Sequence, residues 1–262
     1  MGWVKRYKNR LIQLSAAIVF LILWELVASI LNLFYFPSLS ETAVAFFRLV
    51  VYGDVQGHSL LSHAFISLYR VFVGFSIALL VALALGLMSG VSETFYGVLK
   101  PLVEVLRPIP PLAWVPFAAI AFGITIGGYA FVIFLGAFFP IFLNTIAGVK
   151  RTSPILVDVA KTFKADKKDT MFKVVIPSAL PEIITGMRIG FGIAWMCIIA
   201  AEMIGVQAAL GLGFFIINMS TQVRYPEMFA GMIMIGLVGY AVNELFVLME
   251  KRLFKWRVEI AK

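Results

Sequence analysis

The stretch 71-VFVGFSIALLVALALGLMSG-90 runs for 20 residues without one Asp, Glu, Lys or Arg. A helix rises about 1.5 Å per residue, so about 20 apolar residues cross a hydrocarbon layer about 30 Å thick. The rest of the chain has the same character. Of its 262 residues 61% are apolar and 14% charged, and the mean hydropathy is +0.98. Such a composition does not pack as a water-soluble core, and the chain reads as an integral membrane protein. Five further runs, 11–33, 102–122, 128–149, 183–206 and 228–249, bring the expected number of spans to six. The third of the six, 102–122, is interrupted: Glu104 and Arg107 sit near its start, and Pro108, Pro110 and Pro111 break the helical hydrogen-bond ladder. These runs are long and continuous, not short and alternating, which argues against a β-barrel. The expected fold class is an all-α integral membrane protein with six transmembrane helices, residues 1–262 forming a single domain.

Lys and Arg are retained on the cytoplasmic side during insertion. With the N-terminus inside, Lys5, Arg6, Lys8, Arg10, Lys100, Arg107, eight residues from Lys150 to Arg188 and five from Lys251 to Lys262 all face the cytoplasm, 19 of 22. Only Arg48, Arg70 and Arg224 fall outside, so both termini are expected to be cytoplasmic. The net charge of +8 then reflects topology and contact with anionic membrane lipid; no soluble basic domain exists for nucleic acid. The basic start followed by an apolar run also fits a signal peptide, but the run is long, contains Glu25 and lacks a small-x-small cleavage site, so it is read as the first span. The lone cysteine, Cys197, excludes an intrachain disulfide and reads as a small core residue. His58 and His63 have no carboxylate or cysteine cluster around them in sequence and make a weak metal candidate.

Among the connections, 37–70 lies outside, and its part 59–69 is expected as an amphipathic helix at the interface. The segment 207–227, with Gly211, Gly213 and the apolar 214–217, reads either as a short helix dipping back toward the membrane or as a surface turn. The inner segment 158-DVAKTFKADKKDTMFKVVIPSALP-181 packs eight charged residues into 24 positions of this apolar chain. Ser153 followed by Pro154 starts a helix, the hydroxyl capping free backbone N–H groups. Ile155, Leu156, Val159 and Phe163 recur on one face of it, with Asp158, Lys161 and Lys164 elsewhere around the cylinder. Asp166 caps a second helix that ends before Pro177. Two short helices thus project into the cytoplasm, and their apolar faces are covered either by a protein partner or by the ends of the chain's own spans.

The inner segment resembles the EAA loop of ABC importer permeases, in which Glu-Ala-Ala is followed, four residues after the second alanine, by a glycine and further on by an apolar-Leu-Pro. Asp158, Val159 and Ala160 stand for the first three, Lys164 for the glycine with Ala165 after it, and Ile176 and Pro177 for the end. Further stretches look like the nitrate, sulfonate, taurine and bicarbonate branch of that family: LWELVA at 23–28, FPS at 36–38, SLYRVFVGF at 67–75, LRPIPPLAWVP at 106–116, FLGAFFPIFLNT at 134–145 and GLGFFI at 211–216. This resemblance implies a type I ABC importer permease fold and the translocation subunit for a small solute, delivered by an extracytoplasmic solute-binding protein and driven by cytoplasmic ABC ATPase subunits. It also implies a pair of permease copies, with a homodimer expected. The ATPase would be another polypeptide, because the chain has no Gly-x4-Gly-Lys-Ser/Thr phosphate loop.

The resemblance places the ATPase-coupling role on Ile155, Asp158, Val159, Ala160, Phe163, Lys164, Ala165, Ile176 and Pro177, in a loop of about 150–182. The proline-broken stretch, Pro108, Pro110, Pro111 and Trp114, is the candidate for the translocation path, or else a kink packed in protein. Gly86-x3-Gly90 and Gly186-x3-Gly190 allow close helix packing. The alternative reading is an ion-coupled secondary transporter or channel working without an ATPase. It needs an ionisable group at mid-membrane, for which Glu25 is the candidate, Glu202 and Glu244 lying toward span ends. A membrane enzyme would need a reactive constellation, and neither HExxH nor Gly-x-Ser-x-Gly occurs; no cofactor is expected.

Overall fold

The computed structural model describes residues 2–204 and 210–254, and the side chains of 2–10 and 13 lie outside the description. No strand occurs among the described residues. In chain order the helices are α1 (Gly2–Leu31), α2 (Leu39–Val51), α3 (Leu60–Val91), α4 (Glu93–Leu106), a 3₁₀ turn (Pro111–Trp114), α5 (Val115–Phe122), α6 (Ile126–Lys150), α7 (Pro154–Thr162), α8 (Lys167–Thr170), a π-turn (Met171–Val175), α9 (Ile176–Ile204), α10 (Leu212–Thr221) and α11 (Tyr225–Leu253). By length and composition, five helices among the described residues suffice to cross a membrane: Leu14–Leu31, Leu60–Val91, Ile126–Lys150, Lys167–Ile204 and Tyr225–Leu253. A sixth crossing exists if Glu93–Leu106 and Pro111–Phe122, bent by 82° at the break between them, count as one broken span.

The third expected run is therefore no straight helix. Arg107 N still donates to Val103 O at 2.9 Å, but Pro108, Pro110 and Pro111 supply no donor, and only the turn-like bonds Ile109 N to Leu106 O at 3.2 Å and Ala113 N to Pro110 O at 2.9 Å bridge the break. The expected interfacial helix at 59–69 is corrected as well. Those residues form the first turns of α3, which has no glycine or proline before Gly74 and keeps one buried stripe through Leu60, Ala64, Val71, Phe75, Ala78 and Ala82. The segment at 212–221 is the short apolar helix α10, while 207–209 and the last two residues of the expected span 183–206 lie outside the described residues.

The chain divides into two compact units, Met1–Ala64 with Phe215–Gly236 and Phe65–Phe214 with Leu237–Lys262. In the first, the stretches LWELVA and FPS meet. Trp24 Nε1 donates to Pro37 O at 3.1 Å. The Glu25 carboxylate accepts from Leu39 N at 2.7 Å and from the Ser40 hydroxyl at 3.0 Å. Ser38 and Glu41 close a reciprocal capping box on the same helix start. Arg48 and Arg224 both pair with the nearly buried Glu227 of α11.

The second unit is built around α6, with α3 on one side and α9 on the other. Glycines set both contacts. A Cβ on Gly86 or Gly90 would stand 2.8 or 2.6 Å from the Cβ of Thr145 or Val149, and one on Gly186 would stand 2.7 Å from Asn144 Cβ. In lipid, where apolar side chains gain nothing by leaving solvent, such backbone approach is the main source of helix affinity. The pairs Gly74 with Ile133 and Gly90 with Val149 show α3 and α6 running in the same direction; Gly136 with Cys197 and Gly148 with Ala179 show α9 running back. Cys197 is buried in that seam.

Candidate functional site

At one end of the α3–α6–α9 bundle, α7 and α8 connect α6 to α9. Pro154 occupies the first turn of α7, as expected, but the Ser153 hydroxyl makes no capping bond. The Leu156 N–H that it would take is bonded to the Ser153 carbonyl at 3.1 Å. Helix α7 ends in a Schellman turn: Ala165 N donates to Ala160 O at 3.0 Å and Lys164 N to Lys161 O at 2.8 Å. Lys164, the position where the resembled motif has glycine, holds a left-handed φ of +58°. The turn is thus kept without its glycine, at the cost of placing a Cβ where only glycine sits freely.

Asp166 caps α8 through a 2.6 Å bond from Asp169 N, as expected. The helix does not end before Pro177. Ile176 N donates to Met171 O, five residues back, and this π-turn lets α8 pass into α9 as one continuous run from Lys167 to Ile204. Pro177 lacks an N–H and its ring crowds the carbonyl four residues earlier; one widened turn just upstream takes up both defects. The loop therefore carries one free short helix, α7, and the projecting foot of a long one.

The two apolar faces have different fates. Val175 is buried with Val149, Ala179 and Ile183, and Met171 packs against that cluster, so the foot of α9 rests on the chain's own helices. The face of α7 does not: Ile155 is 72% exposed and Phe163 82%, with Leu156 and Val159 about half exposed. Asp158 pairs with Lys161 at 3.0 Å on the surface, and Ala160 is turned partly inward. The break brings Pro108 beside Tyr96, Lys100, Glu104 and Arg107 around a concavity of about 290 Å³, while Trp114 stacks edge-on against Phe117 and Phe131 on the other limb. Pro110 is exposed and Pro111 half-buried, and neither lines that concavity.

Two of the three glutamates named for the spans, Glu25 and Glu202, are committed to hydrogen bonds. Glu25 caps α2, as described above. Glu202, buried near the end of α9, accepts from Ser67 Oγ at 2.8 Å, Arg70 Nη1 at 2.7 Å and Gly213 N at 3.0 Å. Arg70 also donates to Leu210 O at 2.8 Å and lies 4.7 Å above the Tyr129 ring. Ser67 and Arg70 share the stretch SLYRVFVGF and the Gly211–Gly213 turn lies in GLGFFI, and that the two stretches meet was not apparent from sequence; the signal was a serine and an arginine three residues apart on one helix face. Asp54, outside the spans in the loop before α3, pairs with His63 in the first turn of α3 at 3.1 Å. Burial raises the Asp54 carboxyl, but N–H donors from His58 and Gln56 and the His63 ring outweigh it and hold the group below its ordinary value. No cluster of three metal-ligating side chains occurs among the described residues.

Residues 74–257 match the family described as the binding-protein-dependent transport system inner membrane component. The chain belongs to this family. It is the permease subunit of an ABC importer, a multi-pass membrane protein and a transport component, not an enzyme. An ABC transporter permease protein of Methanocaldococcus jannaschii is 39% identical over 253 residues, 95% of this chain and 93% of its own. The bicarbonate transport system permease protein of Synechococcus elongatus is 33% identical, with 95% and 91% covered. The taurine transport system permease protein of Escherichia coli is 32% identical, with 81% and 78% covered. A crystal structure of an amino acid ABC transporter with histidines overlays 74% of this permease and 93% of its own chain at a TM-score of 0.57 and 20% identity, a likeness of fold. Importer permeases of this family work with an ATPase and a solute-binding protein, so an ion-coupled carrier is not favoured, and Glu25, the candidate such a carrier would need, is already bonded to the start of α2.

Proposed function

We propose that α7 and the foot of α9 are the element through which a cytoplasmic ATPase drives this permease. The observation that supports this most is the uncovered apolar face of α7, with Phe163 82% exposed, next to a helix foot where Val175 is buried and Phe172 is, like Phe163, left exposed. A face that the chain leaves uncovered at a charged, water-facing loop is suited to a groove on another protein. Ile155, Val159 and Phe163 are its anchors. Asp158 and Lys161 form the charged rim, Ala160 and Ala165 allow close approach, and Lys164, Ile176 and Pro177 fix the two turns. Nucleotide-driven closure of the ATPase pair then shifts the loop, and the spans exchange between inward-open and outward-open arrangements as rigid bodies.

In this reading the loop and both termini are cytoplasmic, supported by the 19 to 3 split of Lys and Arg. Residues 1–262 act as one permease domain, two copies pair as a homodimer, and the basic residues near the membrane contact anionic lipid. The transported solute is a small oxyanion or sulfonate, supported by relatives named for nitrate, bicarbonate and taurine transport. The broken span, with Pro108, Pro110, Pro111 and Trp114, borders its path, since irregular backbone at membrane depth is tolerated where it lines a cavity. The test is co-purification in mild detergent. Wild-type permease retains an ATPase subunit; Phe163→Asp is expected to insert normally and lose it. An ATPase retained by that variant, with normal uptake, would remove this face from the docking site.

A further inference from the structure

Glu202 does more than sit in a satisfied ion pair. The segment 210–213, which leads into α10, is held by three backbone bonds to this cluster: Leu210 O to Arg70, Leu212 N to Ser67 Oγ at 2.9 Å, and Gly213 N to Glu202 itself. The glycines are required by the fit. A Cβ on Gly211 would stand 2.5 Å from the Glu202 carboxyl carbon, and one on Gly213 would stand 2.1 Å from Ile199 O, so the backbone wraps directly over the carboxylate. Glu202 and Ser67 are fully buried. A buried charge network of this kind is rigid while every partner is in place and loses much of its hold when one is removed.

The second observation is where Glu202 is carried. Lys167–Ile204 is one continuous helix of 38 residues, roughly 55 Å at about 1.5 Å per residue, with the foot of the α7–α8 loop at one end and Glu202 one turn from the other. We infer that Glu202 is the positioning residue of a closure at the end of the bundle opposite the loop. Displacing the foot of the rod moves the carboxylate, and the Ser67–Arg70–Glu202 knot holds or releases the start of α10 accordingly. The inference rests on the proposal that the loop docks the ATPase. Ser67 and Arg70 belong to α3, so the grip depends on the register between α3 and α9, which is what a rigid-body switch changes.

The test uses the whole transporter in lipid nanodiscs, with ATPase and solute-binding protein, and a Leu210→Cys reporter in a Cys197→Ser background. Labelling by a bulky polar maleimide is timed at rest and after trapping with ATP and vanadate. We expect labelling about tenfold faster in the trapped state, and Glu202→Gln to bring the resting rate up to the trapped one while the ATPase still co-purifies. Ser67→Ala, which leaves the ion pair intact, raises the resting rate by a smaller factor and carries the test if Glu202→Gln does not assemble. Equal rates in the two wild-type states, or resting rates unmoved by these variants, overturn the inference. The docking proposal fails separately: Phe163→Asp then keeps its ATPase, whereas the resting grip on 210–213 is still read from the Glu202 and Ser67 variants.

Discussion

The two ends of the Lys167–Ile204 helix solve opposite problems. At its foot, α7 presents large apolar side chains that nothing among the described residues covers, although Val175 and Met171 a few residues away are packed. At its far end a carboxylate, a guanidinium and a hydroxyl are drawn together out of solvent with their bonds made. Uncovered apolar surface at a charged loop is surface kept for another molecule, while buried charge is internal and depends on all its members. Substitution should therefore separate the ends: changes at the foot spare the fold and lose the partner, and changes at the far end damage the permease itself.

The largest effect is expected from Arg70→Met, which strands the Glu202 carboxylate among apolar neighbours. Breaking one side of a buried pair costs about 3–5 kcal/mol. The thermal unfolding midpoint in detergent should fall steeply, and the double variant Arg70→Met/Glu202→Gln should recover part of the loss. A single variant as stable as wild type would show that the carboxylate is protonated or hydrated and that the comparison is misdrawn. Phe163→Asp is the counterpart, with an unfolding midpoint close to wild type and the ATPase gone. Between them lies Gly90→Leu, which pushes side-chain atoms into Val149 at the α3–α6 seam; overpacking of this kind costs about 1–3 kcal/mol, read from the same melting curves.

Legibility followed the range of the forces. Spans were readable because each is set by its own run of apolar residues, and the proline break at 108–111 because each proline acts on its own helix. The glycine pairs were readable as contact sites, though only the structure shows that Gly86 and Gly90 meet α6 while Gly186 and Gly190 meet its other side. Local rules failed where a neighbouring turn absorbed the defect. Pro177 reads as a helix stop, yet one π-turn upstream lets the helix continue, and this decides whether the loop is loosely hinged or the foot of a rod. The 59–69 stretch failed for a related reason: taken by itself it reads as an amphipathic interfacial helix, whereas its polar residues His63 and Ser67 are buried against Asp54 and Glu202, partners 9 and 135 residues away. Glu25 looked like a coupling site for the same reason, because its partner, the start of α2, becomes apparent only when the chain turns back at Pro37.

A smaller effect sharpens the picture of the foot. Lys164 pays for a left-handed conformation that glycine adopts freely, a difference of about 1 kcal/mol. Lys164→Gly is expected to raise the unfolding midpoint slightly and to leave ATPase co-purification unchanged. Loss of the ATPase in that variant would make the lysine part of the docking surface.

The smallest expected effect concerns Asp54, outside the spans. Its carboxyl is held below its ordinary value in the folded state, so it binds a proton less readily folded than unfolded. The stability it contributes is fully present above the ordinary carboxylate range, about pH 4, and is lost as pH falls through the lower folded value. Melting curves taken between about pH 6 and pH 3 should therefore show a decline on acidification that Asp54→Asn makes shallower. The same variant should leave the labelling of Leu210→Cys unchanged, because Asp54 bonds the turn before α3 and the His63 ring and makes no bond to the Glu202 knot. An acid limb that Asp54→Asn does not alter would assign the decline to other carboxylates and leave the Asp54–His63 pair a packing contact whose charge contributes nothing.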